Sequence, residues 1–378
     1  MIYFRKDVEK IDEGSFNGAQ YYKSISEIMG KIHSEIDENK FNLIKPAMVD
    51  FREEVFQGKN QKRVVIYLMS NGCEWALKNG NGCTVCGHLA KQTREKSMLT
   101  SKQHIEQFLN ALESIDFKKY PLLNLYNNGS FLNDNEINKE ARREILKKIS
   151  EEENIKMVVL ETRPEFVSEE IINEIKEIIP NKTIEIAIGL ELKDDYLRTI
   201  CLNKGFSSNV FEKAAKIITK KCNLRSYVML KPLFLTEAEA IENAIETINY
   251  AFDLGASTVS LEACTIQKYT LADYLSNIGE YKTSWLWSII EVIKRTAHRG
   301  KVIIGLFQFY PSPNKVPYNC DECSEKVLEA IKEYNRTLDV SVFDNLDCNC
   351  KEEWKKEVNK DYDSIDNRIQ STIDKFNI

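Results

Sequence analysis

The sequence predicts an α/β fold: an incomplete parallel (β/α)6-type barrel with an N-terminal helical extension and a C-terminal cysteine-rich module. Three observations carry this expectation. Short, almost wholly apolar runs recur along the chain, helical stretches with recognisable starts separate them, and cysteines crowd a segment behind a proline cluster. Runs that are apolar throughout mark strands buried on both faces, as in a parallel sheet. Their alternation with helices is the pattern of repeated βαβ winding.

In chain order, residues 1–60 read as helix and loop, with an apolar rhythm at Tyr22, Ile25, Ile28, Met29 and Ile32. Strand candidates follow at 64–69, 122–126, 157–160, 184–188, 226–230, 258–261 and 302–309. Thr236 with Glu239 forms a capping box ahead of a helix over 237–252. Thr100 with Gln103, and Asn209 with Glu212, have the same spacing ahead of helices over 104–115 and 210–220. Six or seven strand–helix repeats fall short of eight, so the barrel over 61–310 is read as TIM-like but incomplete. Pro311, Pro313 and Pro317 mark the start of the module 311–378, where Ile365, Ile369 and Ile373 at i, i+4 and i+8 predict a closing amphipathic helix.

Across 378 residues, 43 % hydrophobic and 29 % charged side chains allow a sizeable core and exclude global disorder. A net charge of −6 argues against a broad electrostatic coat for nucleic acid, although a local basic groove is compatible with it. No apolar run approaches the ~18–20 residues of a membrane helix. The opening MIYFRKDVEK lacks the apolar core of an export signal. The expected location is cytoplasmic, with no membrane contact.

Ten cysteines in such a chain are expected to be metal or redox ligands before disulfides. Cys73, Cys83 and Cys86 form C-x9-C-x2-C on a loop that carries Gly72, Gly80, Gly82 and Gly87, so the backbone can fold closely around a bulky group. Three thiolates cannot close a tetrahedral structural zinc site; His88 would be the fourth ligand of a Cys3His knuckle. The same three can hold three irons of a [4Fe–4S] cube and leave the fourth iron open to a chelating ligand.

Chemistry in parallel barrels collects at the C-terminal strand ends. Here those ends read Asn127-Asn128-Gly129-Ser130, Glu161-Thr162-Arg163, Gly189-Leu190-Glu191, Lys231-Pro232 and Glu262-Ala263-Cys264. Gly129 lets backbone carbonyls approach an ammonium group, and Arg163 or Lys231 offers a cation to a carboxylate. Glu161 and Glu191 can accept hydrogen bonds from ribose hydroxyls. S-adenosylmethionine carries all of these groups, and its amino and carboxylate ends suit an open iron. An electron passed into its sulfonium would release a 5′-deoxyadenosyl radical, with the protein supplying geometry and a sealed pocket. Cys264 is then the candidate catalytic residue, as a hydrogen-atom donor; a small buried packing residue is its plainer reading. Cys201 and Cys222 lie in helical contexts that suit packing.

With these residues in place, the chain resembles the radical S-adenosylmethionine enzymes of archaeosine biosynthesis, a branch related to the elongator catalytic subunit. The resemblance runs from Gly72-Cys73-Glu74-Trp75-Ala76 and Gly82-Cys83-Thr84-Val85-Cys86-Gly87 through Glu161-Thr162-Arg163-Pro164 and Gly189-Leu190-Glu191. It continues in Asn203-Lys204-Gly205-Phe206, Leu230-Lys231-Pro232, Gln267-Lys268 and Trp285-Leu286-Trp287-Ser288, and so covers about residues 63–350. It implies one [4Fe–4S] cluster on Cys73, Cys83 and Cys86. It also implies S-adenosylmethionine among Asn128, Gly129, Ser130, Glu161, Arg163, Glu191 and Lys231, and an electron donor such as flavodoxin or ferredoxin. The implied reaction is carbon–nitrogen cleavage on a lysine-bearing deazaguanine in transfer RNA. The sequence departs from the family's pattern at 68–71, at His88 and at 262–267, and a small molecule or peptide is the competing substrate class.

Cys320-x2-Cys323 with Cys348-x-Cys350 adds four thiolates. That set is the complement of a zinc knuckle or of a closed second [4Fe–4S] cluster, and the sequence leaves both open. A non-catalytic zinc-binding interaction protein, using both cysteine groups structurally, is the contrasting functional class.

Overall fold

The computed structural model describes residues 18–37, 41–78, 82–93, 98–307 and 311–375. One sheet of eight strands organises them, in the spatial order β1 to β8. The strands are β1 Met48–Phe56, β2 Lys59–Tyr67, β3 Leu122–Tyr126, β4 Met157–Thr162, β5 Thr183–Glu191, β6 Asn223–Leu230, β7 Thr258–Ala263 and β8 Lys301–Ile304. β1 and β2 form an antiparallel hairpin, and every later neighbour pairs in parallel. The expected α/β architecture, an incomplete parallel barrel wrapped by helices, is the one observed.

β1 is the element the sequence reading misses. Residues 1–60 read as helix and loop; the helix Gly18–Ser34 is present, with Ile25, Ile28 and Met29 buried, while Tyr22's side chain lies outside the described residues. Residues 48–56 form a strand, and the expected boundary at 60 falls inside β2. The reason is the inward face of β1, which carries Asp50, Arg52 and Glu54, so no continuous apolar run announces it. The strand's signal is alternation, not hydrophobicity. Gln57 and Gly58, both with positive φ (51° and 72°), make the two-residue turn that joins it to β2.

Outward-facing strand residues such as Val64, Ile66, Leu123, Leu125, Val158 and Leu160 merge with the helices into one large core. The capping boxes at Thr100 and Thr236 form as expected. The helix Ser208–Ile218 instead starts after Ser207, without a side-chain cap, rather than at Asn209. β8 ends at Ile304, short of the expected run to 309, whose residues 308 and 309 lie outside the described residues.

Inside the barrel, a small apolar layer of Leu122, Met157, Val159 and Ala187 lies beside a buried charge network. Glu54 is bound by Arg63 at 2.5 Å, by Lys301 at 2.6 Å and by Arg225. Arg225 also bonds Glu185, which accepts from Thr258 Oγ1 at 3.2 Å. Burial alone would push the Glu54 carboxyl up; Arg225, Arg63 and Lys301 hold it well below the usual carboxylate range. The free edge of β8 is capped by an amide instead of a strand. Asn335, on the helix Ser324–Thr337, accepts from Ile304 N at 2.9 Å and donates to Ile304 O at 2.7 Å. A sheet edge covered in this way neither pairs nor aggregates.

The closing helix forms as Ile365–Lys375, with Ile369 fully buried. It is tied down by Tyr196 Oη donating to Asp366 at 2.5 Å and by Arg368 donating to Phe234 O at 3.0 Å.

Two stability predictions follow from these buried groups. Glu54→Ala leaves Arg63, Arg225 and Lys301 facing one another in the barrel, and denaturant unfolding is expected to show a loss of about 3–5 kcal/mol. His104 is fully buried on the helix Ser101–Leu112, and burial pushes its imidazole down to about 4 from 6.5. Above pH 6.5 it is neutral in both states and costs nothing; as pH falls from 6.5 to 4 the unfolded chain takes up the proton first. Stability should therefore fall by about 3 kcal/mol through that window, and His104→Gln should flatten that limb of the curve.

Candidate active site

After β2 the chain crosses the C-terminal rim of the barrel and is pinned there by side chains. Leu68 N donates to Tyr126 O at 2.7 Å, Met69 N to Gln107 Oε1 at 2.6 Å, and Ser70 N to Gln92 Oε1 at 3.0 Å. The cysteine loop follows, with Gly80 outside the described residues. Its far side is clamped by the segment that ends the helix Asp195–Leu202. Thr84 donates to Leu202 O at 3.0 Å through its amide and to Cys201 O at 2.6 Å through its hydroxyl. Asn203, left-handed at φ 51°, donates to Gly82 O at 2.7 Å. Trp75 Nε1 donates to Asn203 O at 2.7 Å, and its ring rests on Gly205, where an added Cβ would come within 2.1 Å of it. The Arg163 guanidinium lies over the same ring, 5.2 Å from its centroid. Gly87 N donates to Gln267 Oε1 at 2.7 Å, completing the clamp.

Held this way, Cys73, Cys83 and Cys86 line one wall of a cavity of about 610 Å³. Burial pushes all three thiols up, that of Cys73 to about 12 with the nearby Glu136 adding to the effect. Glu136 is the anchor behind this wall. It accepts from Glu74 N at 3.0 Å, Ser130 N at 2.5 Å and Asn127 Nδ2 at 3.0 Å, and so joins the β3 tip to the cysteine loop.

The sequence-predicted residues divide into three groups. Asn128, Gly129, Glu161, Arg163, Glu191 and Cys264 line the cavity with the three thiols. Asn128 has a positive φ of 56°, and its buried Nδ2 has no hydrogen-bond partner. Ser130 stands behind the wall, its hydroxyl accepting from Arg163 N at 3.1 Å. Lys231 does not line the cavity, contrary to expectation. Its φ of 54° ends β6, and its ammonium is locked on Glu237, a buried carboxylate that also accepts from Trp285 N at 2.9 Å and Ser288 Oγ at 2.6 Å. The pairing follows from sequence distance, since Glu237 starts the next helix six residues on.

Among the strand tips the cavity is instead lined by Lys204, 2.7 Å from Glu191. It sits on a loop after a helix, not at a strand tip, so the strand-end argument passes over it. Glu262 and His88 also line the wall. Three carboxylates, Glu161, Glu191 and Glu262, thus converge from β4, β5 and β7. Burial raises Glu161 to about 7; His88 and Lys204 pull it down while Glu191 and Glu262 push it up. Soft thiol donors on one wall, an unpartnered amide donor, and facing carboxylates with an ammonium suit a metal cluster beside a zwitterionic, hydroxyl-bearing ligand.

The second cysteine group is built differently. Sγ–Sγ separations are 3.6 Å for Cys320–Cys323, Cys320–Cys348 and Cys323–Cys350, and all four sulfurs lie within 4.8 Å of one another. Trp287 Nε1 donates to Cys350 Sγ at 3.3 Å, and Asn319 Nδ2 to Cys323 Sγ at 3.6 Å. None of the four lines the cavity. Such a group could hold one metal ion. Cys201 and Cys222 are packed in the main core.

No family model matches the chain. It is 33 % identical over 316 residues to archaeosine synthase subunit beta of Methanosarcina acetivorans, covering 82 % of this chain and 89 % of that one. It is 32 % identical over 312 residues to archaeosine synthase subunit beta of Thermococcus kodakarensis, covering 80 % and 94 %. An uncharacterised protein of Methanocaldococcus jannaschii is 31 % identical over 351 residues, covering 89 % and 92 %. Among solved structures, methylornithine synthase (PylB) is similar with a TM-score of 0.45 and 15 % identity over 76 % of this chain and 74 % of that one. The archaeal Methanocaldococcus infernus Elp3 is similar with a TM-score of 0.44 and 16 % identity over 62 % and 59 %.

The clamp is open to test. Gly205→Val strains a left-handed residue at φ 74° and drives a side chain into Trp75. It is expected to cost about 2 kcal/mol in unfolding. Labelling of the loop thiols by a thiol reagent should become at least about tenfold faster as the loop loosens.

Proposed function

This chain belongs to the archaeosine synthase subunit beta family of radical S-adenosylmethionine enzymes, and on that premise we propose that it cleaves a carbon–nitrogen bond on a lysine-bearing deazaguanine base of transfer RNA. The observation that carries the reading is the convergence of Cys73, Cys83 and Cys86 on the one cavity that also takes the β3, β4, β5 and β7 tips. We assign those three thiols as the ligands of a [4Fe–4S] cluster. They would hold that cluster, which would supply one-electron reduction of the sulfonium of S-adenosylmethionine.

The chain's own residues define the rest. Asn128 offers an unpartnered buried amide, and Gly129 lets the β3 tip close on Glu136 behind the wall, where a Cβ would come within 1.9 Å of its carboxylate. Arg163 spends its guanidinium on Glu165, Lys204 O and the Trp75 face, so its part is to hold the loop and the Lys204 segment while lending positive charge. Lys204, held on Glu191, takes the cation's part that Lys231 cannot. Tyr126, Tyr227 and Met229 line the cavity below the strand tips, and the two tyrosine hydroxyls bond each other at 2.9 Å. Cys264 lines the same cavity, and burial pushes its thiol up to about 12. It therefore stays neutral, the form that can give up a hydrogen atom.

At the second group we assign a single zinc ion. Four sulfurs around one ion at Zn–S of about 2.3 Å stand about 3.8 Å apart, close to the 3.6 Å separations here. Ligands to a four-iron cube must stand outside it and so lie further apart. The relatives' name, subunit beta, supports a partner subunit; one-electron chemistry at a cluster would further call for an external donor such as flavodoxin or ferredoxin.

Anaerobic reconstitution tests the whole reading. About four irons and about one zinc per chain are expected, with 5′-deoxyadenosine formed on adding reductant and S-adenosylmethionine. Cys83→Ala should lose the iron and the 5′-deoxyadenosine but keep the zinc. Iron retained in that variant would overturn the ligand assignment, and about eight irons without zinc would make the second group a cluster. Transfer RNA carrying the lysine-bearing base should release the amidine; a small molecule or peptide accepted instead would overturn the substrate.

A further inference from the structure

The cavity that holds the thiols has a second end. Away from the strand tips it is lined by Phe51 and Arg52 of β1, Lys62 of β2, Tyr120, and Lys332 and Arg336 of the helix Ser324–Thr337. It reaches them because β8 is short and its free edge is occupied by Asn335, so β1 and β8 do not zip together above Lys301.

Two features of this end have no packing explanation. Phe51 is 44 % exposed, although it is an aromatic residue on a strand. Its ring lies 4.5 Å from that of Tyr120, tilted by 43°, and the Lys119 ammonium sits 5.3 Å from the Tyr120 centroid. Around this pair stand the exposed Lys62 and Lys119, with Lys332 and Arg336 across the opening. Glu53 and Glu333, bonded by Arg336 at 2.9 and 3.5 Å, and Glu329, bonded by Lys332, offset part of that charge, while Lys62 and Lys119 add to it. In a chain of net charge −6 this is a local concentration of cations around an exposed aromatic face.

Aromatic faces flanked by lysine and arginine are what an unstacked nucleotide needs, with the base on the ring and phosphates on the cations. We propose that this mouth is a nucleotide-docking platform, on which Phe51 and Tyr120 stack a base neighbouring the target while Lys62, Lys119, Lys332 and Arg336 take its phosphates. The target nucleotide, drawn out of its own stack, then extends inward along the cavity toward the cysteine loop. This inference rests on RNA being the substrate, and it adds where the RNA sits and which residues hold it.

The test uses reconstituted full-length protein and a fluorescein-labelled, unmodified transfer-RNA transcript, followed by anisotropy. Phe51→Ala and Tyr120→Ala should each weaken binding about tenfold, and Phe51→Trp should keep it. The Lys62→Ala/Lys119→Ala double variant should lower the slope of log Kd against log salt by about 1–2. Formation of 5′-deoxyadenosine without RNA should be unchanged in all four. Wild-type protein that binds the transcript, together with aromatic variants that bind it equally well, would overturn the platform and leave the RNA reading standing. Wild-type protein that cleaves S-adenosylmethionine but binds no transcript would overturn both.

Discussion

One buried carboxylate ties the two ends of the sheet together. Glu54 lies on the outermost strand at one edge and is bound by Lys301 of the last strand, by Arg225 midway round and by Arg63 beside it. Lys301 also donates to Val55 O at 2.7 Å, so the edges meet at their base without pairing along their length. An apolar plug could fill the same space and often does so with equal or greater stability. Charges add direction: an ion pair left unmade in the barrel is costly, so the curl that brings all four groups together is the one that persists. With the bottom cinched, the strand tips lean toward a common centre at the top and the gap between β1 and β8 stays open at the side.

The rim depends on that convergence. Glu136 and the Asn203–Gly205 turn are not ligand candidates by residue type, yet they set the cysteine loop against the strand tips through Glu74 N, Ser130 N, Gly82 O and the Trp75 ring. Two glycines are required by close approach here, Gly205 under Trp75 and Gly129 against Glu136. At each, the backbone passes where a side chain would collide.

Much of this was legible in the residues. Continuous apolar runs located the seven parallel strands because both faces of each are buried, and the capping boxes at Thr100 and Thr236 marked true helix starts because the local hydrogen bonds suffice to make them. β1 was illegible by that rule, since its inward positions carry the charges that close the barrel. Asn128, Gly129, Glu161, Arg163 and Glu191 reach the cavity as their places at the strand ends predict. Lys204 escapes a strand-end reading because it reaches the cavity from a loop, and Lys231 is drawn off the cavity by Glu237, six residues away.

By itself the sequence determined the winding of the chain, the two cysteine groups and the family to which it belongs. Each of these is written in local spacing, and spacing survives without coordinates. Only the tertiary structure decided that Lys204 and not Lys231 stands at the strand-tip end of the cavity, how closely the last four thiols stand, and that the barrel opens sideways onto Phe51 and Tyr120. Those facts belong to pairs of residues far apart in the chain, whose meeting is set by the curl of the sheet and the competition among charges for partners.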